Sequence, residues 1–305
     1  MSTLLIAQLL NGLQYGVLLF LLAAGLTLVF GIMNFVNLAH GSLYMLGAYA
    51  FAVVGARTES FVLAVLAAVA TGAAVGFVLE KAAVSKLYRR DHLDHVLATF
   101  GLVMFFNEVV RMVWGPQPMF VTLPEALSGT VDVLGFSYPS YRFLIIVVGL
   151  AVAAGSQWLI HNTRVGMLIR AGSVNPEMVG ALGVNIRLLN ALLFALGAAL
   201  AALAGAMASP ILSVQSGMGE SVLITTLVVI VIGGIGSVRG ALYAALIVGV
   251  ADTLGRSYLP MLLRQVAERD VANAAGPALA SMLVYVLMAV VLVLRPQGLF
   301  PAHKG

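Results

Sequence analysis

The stretch NFVNLAHGSLYMLGAYA, residues 34–50, is the most informative part of the sequence because it interrupts a very apolar chain with two asparagines, a histidine and two glycines. The run YGVLLFLLAAGLTLVFG, residues 15–31, precedes it and contains no charged residue. Polar side chains and glycines between apolar runs favour a helix break over one continuous helix. The segment 31–41 is therefore predicted to hold an interruption, in which Asn34 and Asn37 would cap the freed backbone groups.

The composition describes a membrane protein. The chain has 305 residues, of which 61% are hydrophobic and 9% charged, whereas a soluble domain carries about 25% charged residues. Its mean hydropathy is +1.05. Apolar runs near the roughly 20 residues that cross a bilayer recur along the whole length. We therefore expect one transmembrane domain over residues 1–305, with no separate soluble domain and, without cysteines, no disulfide or thiolate metal site.

The apolar segments predict an all-α polytopic membrane protein with 8–9 transmembrane helices, some of them discontinuous or re-entrant. Two topologies are compatible with VVIVIGGIGSVRGALYAA, residues 228–245. The segment either crosses the membrane twice, or enters it and leaves on the same side as a re-entrant segment. The nine segments are residues 5–31, 39–56, 61–84, 95–114, 142–162, 190–211, 221–236, 240–258 and 277–299.

The basic residues predict the orientation, because Lys and Arg favour cytoplasmic loops. Nine crossings place ten of the sixteen basic residues on one side: Lys81, Lys86, Arg89, Arg90, Arg164, Arg170, Arg187, Arg239, Arg295 and Lys304. This bias predicts a cytoplasmic C-terminus and a periplasmic N-terminus. The isoelectric point near 9.5 is then a sign of membrane topology and not of nucleic-acid binding. Because the first basic residue is Arg57, the first segment is interpreted as a retained helix and not a signal peptide.

Few ionisable residues lie inside the apolar segments, so we expect neither a proton relay nor an enzyme. Glu108 with Arg111 and Asp252 with Arg256 are spaced to pair on one helix. The cluster DHLDH, residues 91–95, is interpreted as a solvated loop face because it lies beside basic residues. The sequence contains no G-x-x-x-x-G-K-[ST], H-E-x-x-H or G-x-S-x-G motif, which removes support for ATP binding by this chain and for two common hydrolase classes.

A polar loop at about residues 163–189 contains SVNPEMVGALGV, which predicts a short helix. Asn175 suits the N-cap, Pro176 the first helical position and Glu177 the first turn, where a carboxylate favours the helix dipole. Gly183 suits the C-terminal cap. The helix is either a plain surface helix or a docking element for a cytoplasmic partner.

Three stretches resemble the LivH-type permease of branched-chain amino acid ABC importers. They are GLTLVFGIMNFVNLAHGSLYMLGAY (residues 25–49), NPEMVGALGVNI (residues 175–186) and VVIVIGGIGSVRGALYAALIVGVAD (residues 228–252). The resemblance implies a bacterial inner-membrane location and four kinds of partner: a second, LivM-type permease, two cytoplasmic ABC ATPases, a periplasmic substrate-binding protein and membrane lipid. It also implies that ATP, the energy source, binds to the partner ATPases, so this chain itself needs no cofactor or metal.

The resemblance further implies two sets of site residues. The loop would supply a cytoplasmic coupling helix for an ATPase, with contacts at Arg164, Arg170, Asn175, Pro176, Glu177 and Gly183. Discontinuous helices can offer backbone groups to a zwitterionic amino acid without placing a charge in the membrane. On this hypothesis we expect the pathway residues to be Asn34, Asn37, His40, Gly41, Gly233, Gly234 and Gly236.

Two questions stay open at the level of sequence. The competing function is a stand-alone secondary transporter or channel for a small polar solute, which would work without ATPases. The substrate is also open, because relatives of this type handle leucine, isoleucine and valine but also other amino acids, urea or amides, and organic acids.

Overall fold

The computed structural model describes residues 2–33, 35, 37–88, 90–133, 136–265 and 268–300. These residues form twelve helices, a 3₁₀ turn at Val84–Lys86 and one two-stranded antiparallel hairpin, β1 Thr130–Val133 with β2 Phe136–Pro139. The helices are α1 Ser2–Met33, α2 His40–Thr58, α3 Phe61–Ala82, α4 His92–Trp114, α5 Glu125–Ser128, α6 Ser140–Asn162, α7 Arg164–Val174, α8 Pro176–Ala181, α9 Ile186–Ala208, α10 Met218–Gly233, α11 Val238–Leu263 and α12 Arg269–Leu294.

The predicted all-α polytopic fold is confirmed. Among the described residues, seven helices are long and apolar enough to cross a membrane: α1, α3, α4, α6, α9, α11 and α12. The two remaining predicted segments correspond to α2, with 19 residues, and α10, with 16. At 1.5 Å per residue α10 is about 24 Å long, shorter than the roughly 30 Å hydrocarbon core.

Two predicted boundaries are wrong at their starts. α9 begins at Ile186 instead of residue 190, because Asn185 caps it by accepting a hydrogen bond from the Leu188 N–H at 3.1 Å. α12 begins at Arg269 instead of residue 277, so Pro277 lies inside the helix. The polar run before Pro277 therefore forms the first two turns of α12 and is not a connection.

α1 lies at the centre of the bundle and is buried along most of its length. It packs closely on α11, where a Cβ placed on Gly16 would lie 2.7 Å from the Ala245 carbonyl oxygen and one on Gly249 would lie 2.5 Å from the Gly16 Cα. Small residues at such contacts let two helix backbones approach, and dispersion then holds the helices together. The core is thus built around α1, with α9 and α11 on its flanks.

One end of the bundle, here called the loop end, carries α7, α8 and the connections after α1, α3 and α10. The Tyr88 hydroxyl donates to Met33 Sδ at 3.3 Å, and the Gln157 amide faces the Arg239 guanidinium. These contacts join the ends of α1, α3, α6 and the start of α11. The loop end therefore gathers the basic segments that the charge bias places together.

The opposite end, here called the hairpin end, carries β1–β2 and the connections after α2, α4 and α9. Met119 and Val214 exchange backbone hydrogen bonds of 2.9 Å. Arg142 at the start of α6 donates to Asn11 of α1 at 2.6 Å. α10 starts beside this group and ends at the loop end, and α11 returns. Residues 228–245 therefore form the end of α10, a turn at the loop end and the start of the antiparallel helix α11.

The predicted local pairings of ionisable residues hold. Arg256 donates to Asp252 at 2.8 Å and Arg111 donates to Glu108 at 3.1 Å. The interpretation of residues 91–95 as a solvated face is wrong for its last member. His95 is 3% exposed, and its Nε2 lies 2.8 Å from the Leu87 carbonyl oxygen, because α4 starts at His92 and turns this side chain inward.

Candidate functional site

The predicted break between α1 and α2 is present, with α1 ending at Met33 and α2 beginning at His40. Asn34 lies outside the described residues. Asn37 does not cap α2 as expected, because the N-cap is Ala39 and no side chain bonds there. Instead the Asn37 side chain is 2% exposed, and neither its Nδ2 nor its Oδ1 has a hydrogen-bond partner among the described residues. A buried, unpaired amide is costly, so Asn37 marks this break as unusual.

His40 is the first residue of α2 and is 1% exposed. It faces α1, where a Cβ added to Gly25 would lie 3.0 Å from His40 Nε2. The Leu22 carbonyl of α1 lies near the ring, but neither ring nitrogen makes a hydrogen bond of normal geometry to a described residue. His40 therefore packs the start of α2 against α1 inside this chain.

The starts of α2 and α10 lie side by side. A Cβ on Gly41 would be 2.6 Å from the Gly219 carbonyl oxygen, and one on Gly219 would overlap the Gly41 carbonyl oxygen. The first turn of each helix carries the positive end of the helix dipole, although some of its N–H groups already bond to preceding carbonyls, such as His40 to Asn37 and Glu220 to Gly217. Two such ends therefore meet within the bundle.

Asn107 of α4 fastens the start of α10. Its Oδ1 accepts from the Gly217 N–H at 3.2 Å, its carbonyl accepts from the Ser216 hydroxyl at 3.3 Å, and its Nδ2 donates to Glu220 Oε1. Glu220 is exposed on the surface of the chain and lies in the first turn of α10. We define the start cluster as residues 37–41, Asn107 and residues 216–220.

The start cluster combines two kinds of electrostatic partner. Helix N-termini attract a carboxylate, whereas the Glu220 carboxylate attracts a cation or ammonium group. Together they suit a zwitterion. Asn107 and Glu220 were missed in the sequence analysis. A signal for Glu220 was available, because SGMGES (residues 216–221) places a carboxylate beside two glycines at the edge of an apolar segment.

Gly233, Gly234 and Gly236 do not join the start cluster. They lie at the opposite end of α10, and 14 residues at 1.5 Å per residue separate Gly219 from Gly233 by about 21 Å. The carbonyl of Gly233 accepts from the Phe300 N–H at 3.0 Å, and that of Gly234 accepts from Ser237 at 3.1 Å. The structure therefore divides the predicted pathway residues into two groups.

The glycine turn has a packing role at the loop end. Gly234 and Gly236 have φ values of 100° and 84°, which favour glycine. A Cβ on Gly31 would lie 2.9 Å from the Gly236 Cα. The turn thus brings the break after α10 against the end of α1.

The loop between α6 and α9 contains the predicted short helix, α8, with the expected caps. Asn175 Oδ1 accepts from the Met178 N–H at 2.9 Å, and Pro176 and Glu177 occupy the first turn. Gly183 has a φ of 88° and donates to the Gly180 carbonyl at 3.0 Å, as a C-terminal glycine cap does.

The same loop contains a second helix, α7, that sequence reasoning missed. Thr163 caps it by accepting from the Gly166 N–H at 3.1 Å, a signal the sequence offers as Thr before an amphipathic run. Arg164 opens α7, and the Arg170 guanidinium donates to the Ile160 carbonyl of α6. Arg170 therefore holds α7 against α6.

The loop exposes apolar side chains on both short helices. Leu182 and Met178 are 78% and 62% exposed, and Val174 and Met167 are 67% and 55% exposed. They lie at the loop end, next to charged and polar residues, outside the long apolar helices. An apolar surface of this kind is typical of a site that contacts another protein or a membrane.

The comparisons with known proteins cover almost the whole chain. The family described as "Branched-chain amino acid transport system / permease component" matches residues 8–292. The high-affinity branched-chain amino acid transport system permease protein BraD of Pseudomonas aeruginosa is 30% identical over an alignment of 307 positions that covers 96% of this chain and 94% of BraD.

Two further relatives show how far the similarity extends. The corresponding permease protein LivH of Escherichia coli K12 is 29% identical over an alignment of 273 positions that covers 83% of this chain and 86% of LivH. The ribose import permease protein RbsC of the same organism is 27% identical over an alignment of 266 positions that covers 81% of this chain and 78% of RbsC.

Proposed function

The chain belongs to the branched-chain amino acid transport permease family, and on that premise we propose that it is the permease subunit of an ABC importer. It translocates branched-chain or related amino acids into the cytoplasm, driven by ATP hydrolysis on partner subunits. The family match over residues 8–292 carries this proposal. The similarity to a ribose import permease leaves the substrate to be tested.

The start cluster is the proposed point of substrate passage. The first turns of α2 and α10 meet at Gly41 and Gly219, where their dipoles favour the carboxylate of an amino acid. Glu220 supplies the opposite charge for the ammonium group. Asn37 and His40, both buried, hold the start of α2, and a helix shift would bring their unpaired groups to the substrate.

A second, LivM-type permease is the proposed cover for the exposed side of this cluster. Glu220 is exposed between α4 and α10, and a carboxylate facing lipid at that depth is costly. A partner permease on this side would enclose Asn107 and Glu220 in a pathway between two chains. A periplasmic binding protein would deliver substrate at the hairpin end.

Two cytoplasmic ATPases complete the proposed complex, one of them docked on α7 and α8. Exposed Met178 and Leu182 supply the apolar contact, and capped residues 175–177 fix the direction of α8. Arg170 connects α7 to α6, so movement of the ATPase would reach the membrane helices through it. This places the loop end and the C-terminus in the cytoplasm, the N-terminus in the periplasm and the chain in the bacterial inner membrane.

Purification of the chain without cross-linking tests the partner set. We expect an ATPase and a second permease to co-elute, and expect uptake into vesicles only when both are present with ATP. A stand-alone secondary transporter would instead elute alone and take up solute in response to a proton or sodium gradient.

A further inference from the structure

A basic cavity of about 420 Å³ opens at the loop end between α1, α6, α7 and the turn before α11. Arg170, Arg239 and His161 line it, and among its described lining residues none is acidic. Thr27 of α1 also lines it, is 1% exposed, and has no hydrogen-bond partner for its Oγ1 among the described residues. The cavity therefore offers several donors and a local positive charge, without a carboxylate to balance them.

An apolar groove of about 210 Å³ continues from this cavity along α6. The two share Leu28 and Ile160 as lining residues. The groove extends from Ile160 to Val152, which is about 12 Å along the helix axis and away from the loop end, and Leu196 and Leu200 of α9 form its other wall. Its lining is apolar apart from Ser156.

We propose that the cavity and groove together bind one anionic phospholipid. The phosphate would lie at Arg170 and Arg239, and one acyl chain would follow the groove between α6 and α9. Both guanidiniums retain free donors, because each has five N–H groups and, within the described part of the chain, they contact only Ile160 and Gln157. Basic pockets between membrane helices bind anionic headgroups for the same electrostatic reason. A soluble anion would use the cavity but leave the groove unfilled.

The position of the bound lipid would connect it with the moving parts of the chain. Its headgroup would touch α7 through Arg170 and the start of α11 through Arg239, while its chain would touch α6 and α9. Lipid binding would therefore hold α7 against the bundle. On the orientation proposed above, the bound lipid belongs to the cytoplasmic leaflet. Lipid binding itself does not depend on the proposed importer function.

Native mass spectrometry of the purified, delipidated complex titrated with phosphatidylglycerol or phosphatidylcholine tests the proposal. We expect one phosphatidylglycerol to be retained per chain. In the Arg170→Gln, Arg239→Gln double variant we expect a roughly 10- to 30-fold loss of affinity, because each arginine near an anionic headgroup strengthens binding about fivefold. The control is Arg164→Gln with Arg187→Gln, which removes the same charge from the loop end outside the cavity.

A second variant tests the groove without changing any charge. Gly155 lines the groove, and a Cβ there would meet no atom within 4 Å, so Gly155→Leu should fold and fill the groove. Gly101→Leu on α4 is the matched control, because its Cβ also meets nothing. Loss of phosphatidylglycerol from Gly155→Leu alone supports the proposal.

Three results would overturn it. Equal retention of phosphatidylglycerol and phosphatidylcholine would mean that the cavity does not distinguish anionic from zwitterionic headgroups. Unchanged retention in Gly155→Leu, or displacement of phosphatidylglycerol by millimolar inorganic phosphate, would indicate a site for a free anion. Because no result requires transport, loss of this proposal would leave the importer function standing.

Discussion

Asn37 and His40 are buried polar residues whose side chains lack normal hydrogen bonds to described residues. An unsatisfied buried group costs about 1–3 kcal/mol, and a fold tolerates that cost where function requires it. Both residues belong to the break before α2, next to a second helix start. We therefore interpret the start cluster as a site whose buried polar groups form their hydrogen bonds in a different conformation of the bundle.

Gly41 is predicted to tolerate no side chain. In Gly41→Ala the new Cβ would lie 2.6 Å from the Gly219 carbonyl oxygen, so the starts of α2 and α10 must separate. We expect a loss of about 1–3 kcal/mol in the free energy of unfolding, measured as a lower thermal midpoint in detergent.

Gly101→Ala is the control for that substitution. Gly101 lies inside α4, and a Cβ there meets nothing within 4 Å, so alanine should leave stability unchanged or raise it by up to about 1 kcal/mol. Equal midpoints for the two variants would contradict the close approach of α2 and α10.

Glu220 is predicted to hold the ammonium group of the substrate. Glu220→Gln keeps an acceptor for the Asn107 amide but removes the charge, so the half-saturating substrate concentration for uptake should rise roughly 10- to 100-fold. Glu108→Gln removes a carboxylate that instead pairs with Arg111 and should change uptake less than about twofold. If both variants transport alike, Glu220 has no part in binding.

Residue-level prediction from the sequence succeeded where the cause is local. Asn175, Pro176 and Gly183 cap α8 as expected, because capping needs neighbours only two or three residues away. Glu220 and Asn107 meet across 113 positions of the chain, which no local pattern reveals. His95 likewise turned inward because of the packing of Phe35 on its ring, with centroids 4.7 Å apart.

At the scale of elements, α7 and α8 are two short capped helices at the loop end of the bundle. Thr163 and Asn175 cap their first turns, and Arg170 fastens α7 to α6. These contacts favour one arrangement of the two helices, and such preorganisation lowers the entropic cost of binding a partner.

Leu182 is predicted to be part of the ATPase contact. Leu182→Glu places a charge on the apolar surface, and we expect the co-purified ATPase to fall about tenfold or more, since a central apolar contact contributes at least about 1–2 kcal/mol. The measurement is the ratio of ATPase to permease after size-exclusion chromatography.

Phe120→Glu is the matched control, because Phe120 is 83% exposed but lies near the hairpin end. It should leave the ATPase ratio unchanged. Full retention of the ATPase by Leu182→Glu would mean that α8 is a plain surface helix.

Element boundaries show where sequence patterns stop being informative. The nine apolar segments each contain a helix of the structure, since burial in lipid or protein selects apolar residues in both cases. The starts of α9 and α12 were misplaced because polar and basic residues can form the first helical turns. The apolar pattern also does not predict where α10 begins, because a contact with Asn107 of α4 holds that start in place.

At the scale of the whole molecule, the two breaks lie at different depths and serve different contacts. The break before α2 opens beside the start of α10, whereas the glycine turn before α11 packs at the loop end against α1 and residues 298–300. A substrate pathway at the start cluster and a coupling surface at the loop end would then be joined by α10 itself. Such an arrangement suits alternating access, in which helices move around a fixed site.

The proposed function requires that ATP hydrolysis on partner chains drives uptake through this permease. The most direct measurement is uptake of radiolabelled leucine into proteoliposomes that contain the purified complex and enclose ATP, with the binding protein outside. The proposed function predicts accumulation that requires ATP, both ATPases and the second permease, and that persists when proton and sodium gradients are collapsed. Accumulation by this chain alone, driven by either ion gradient, would contradict it.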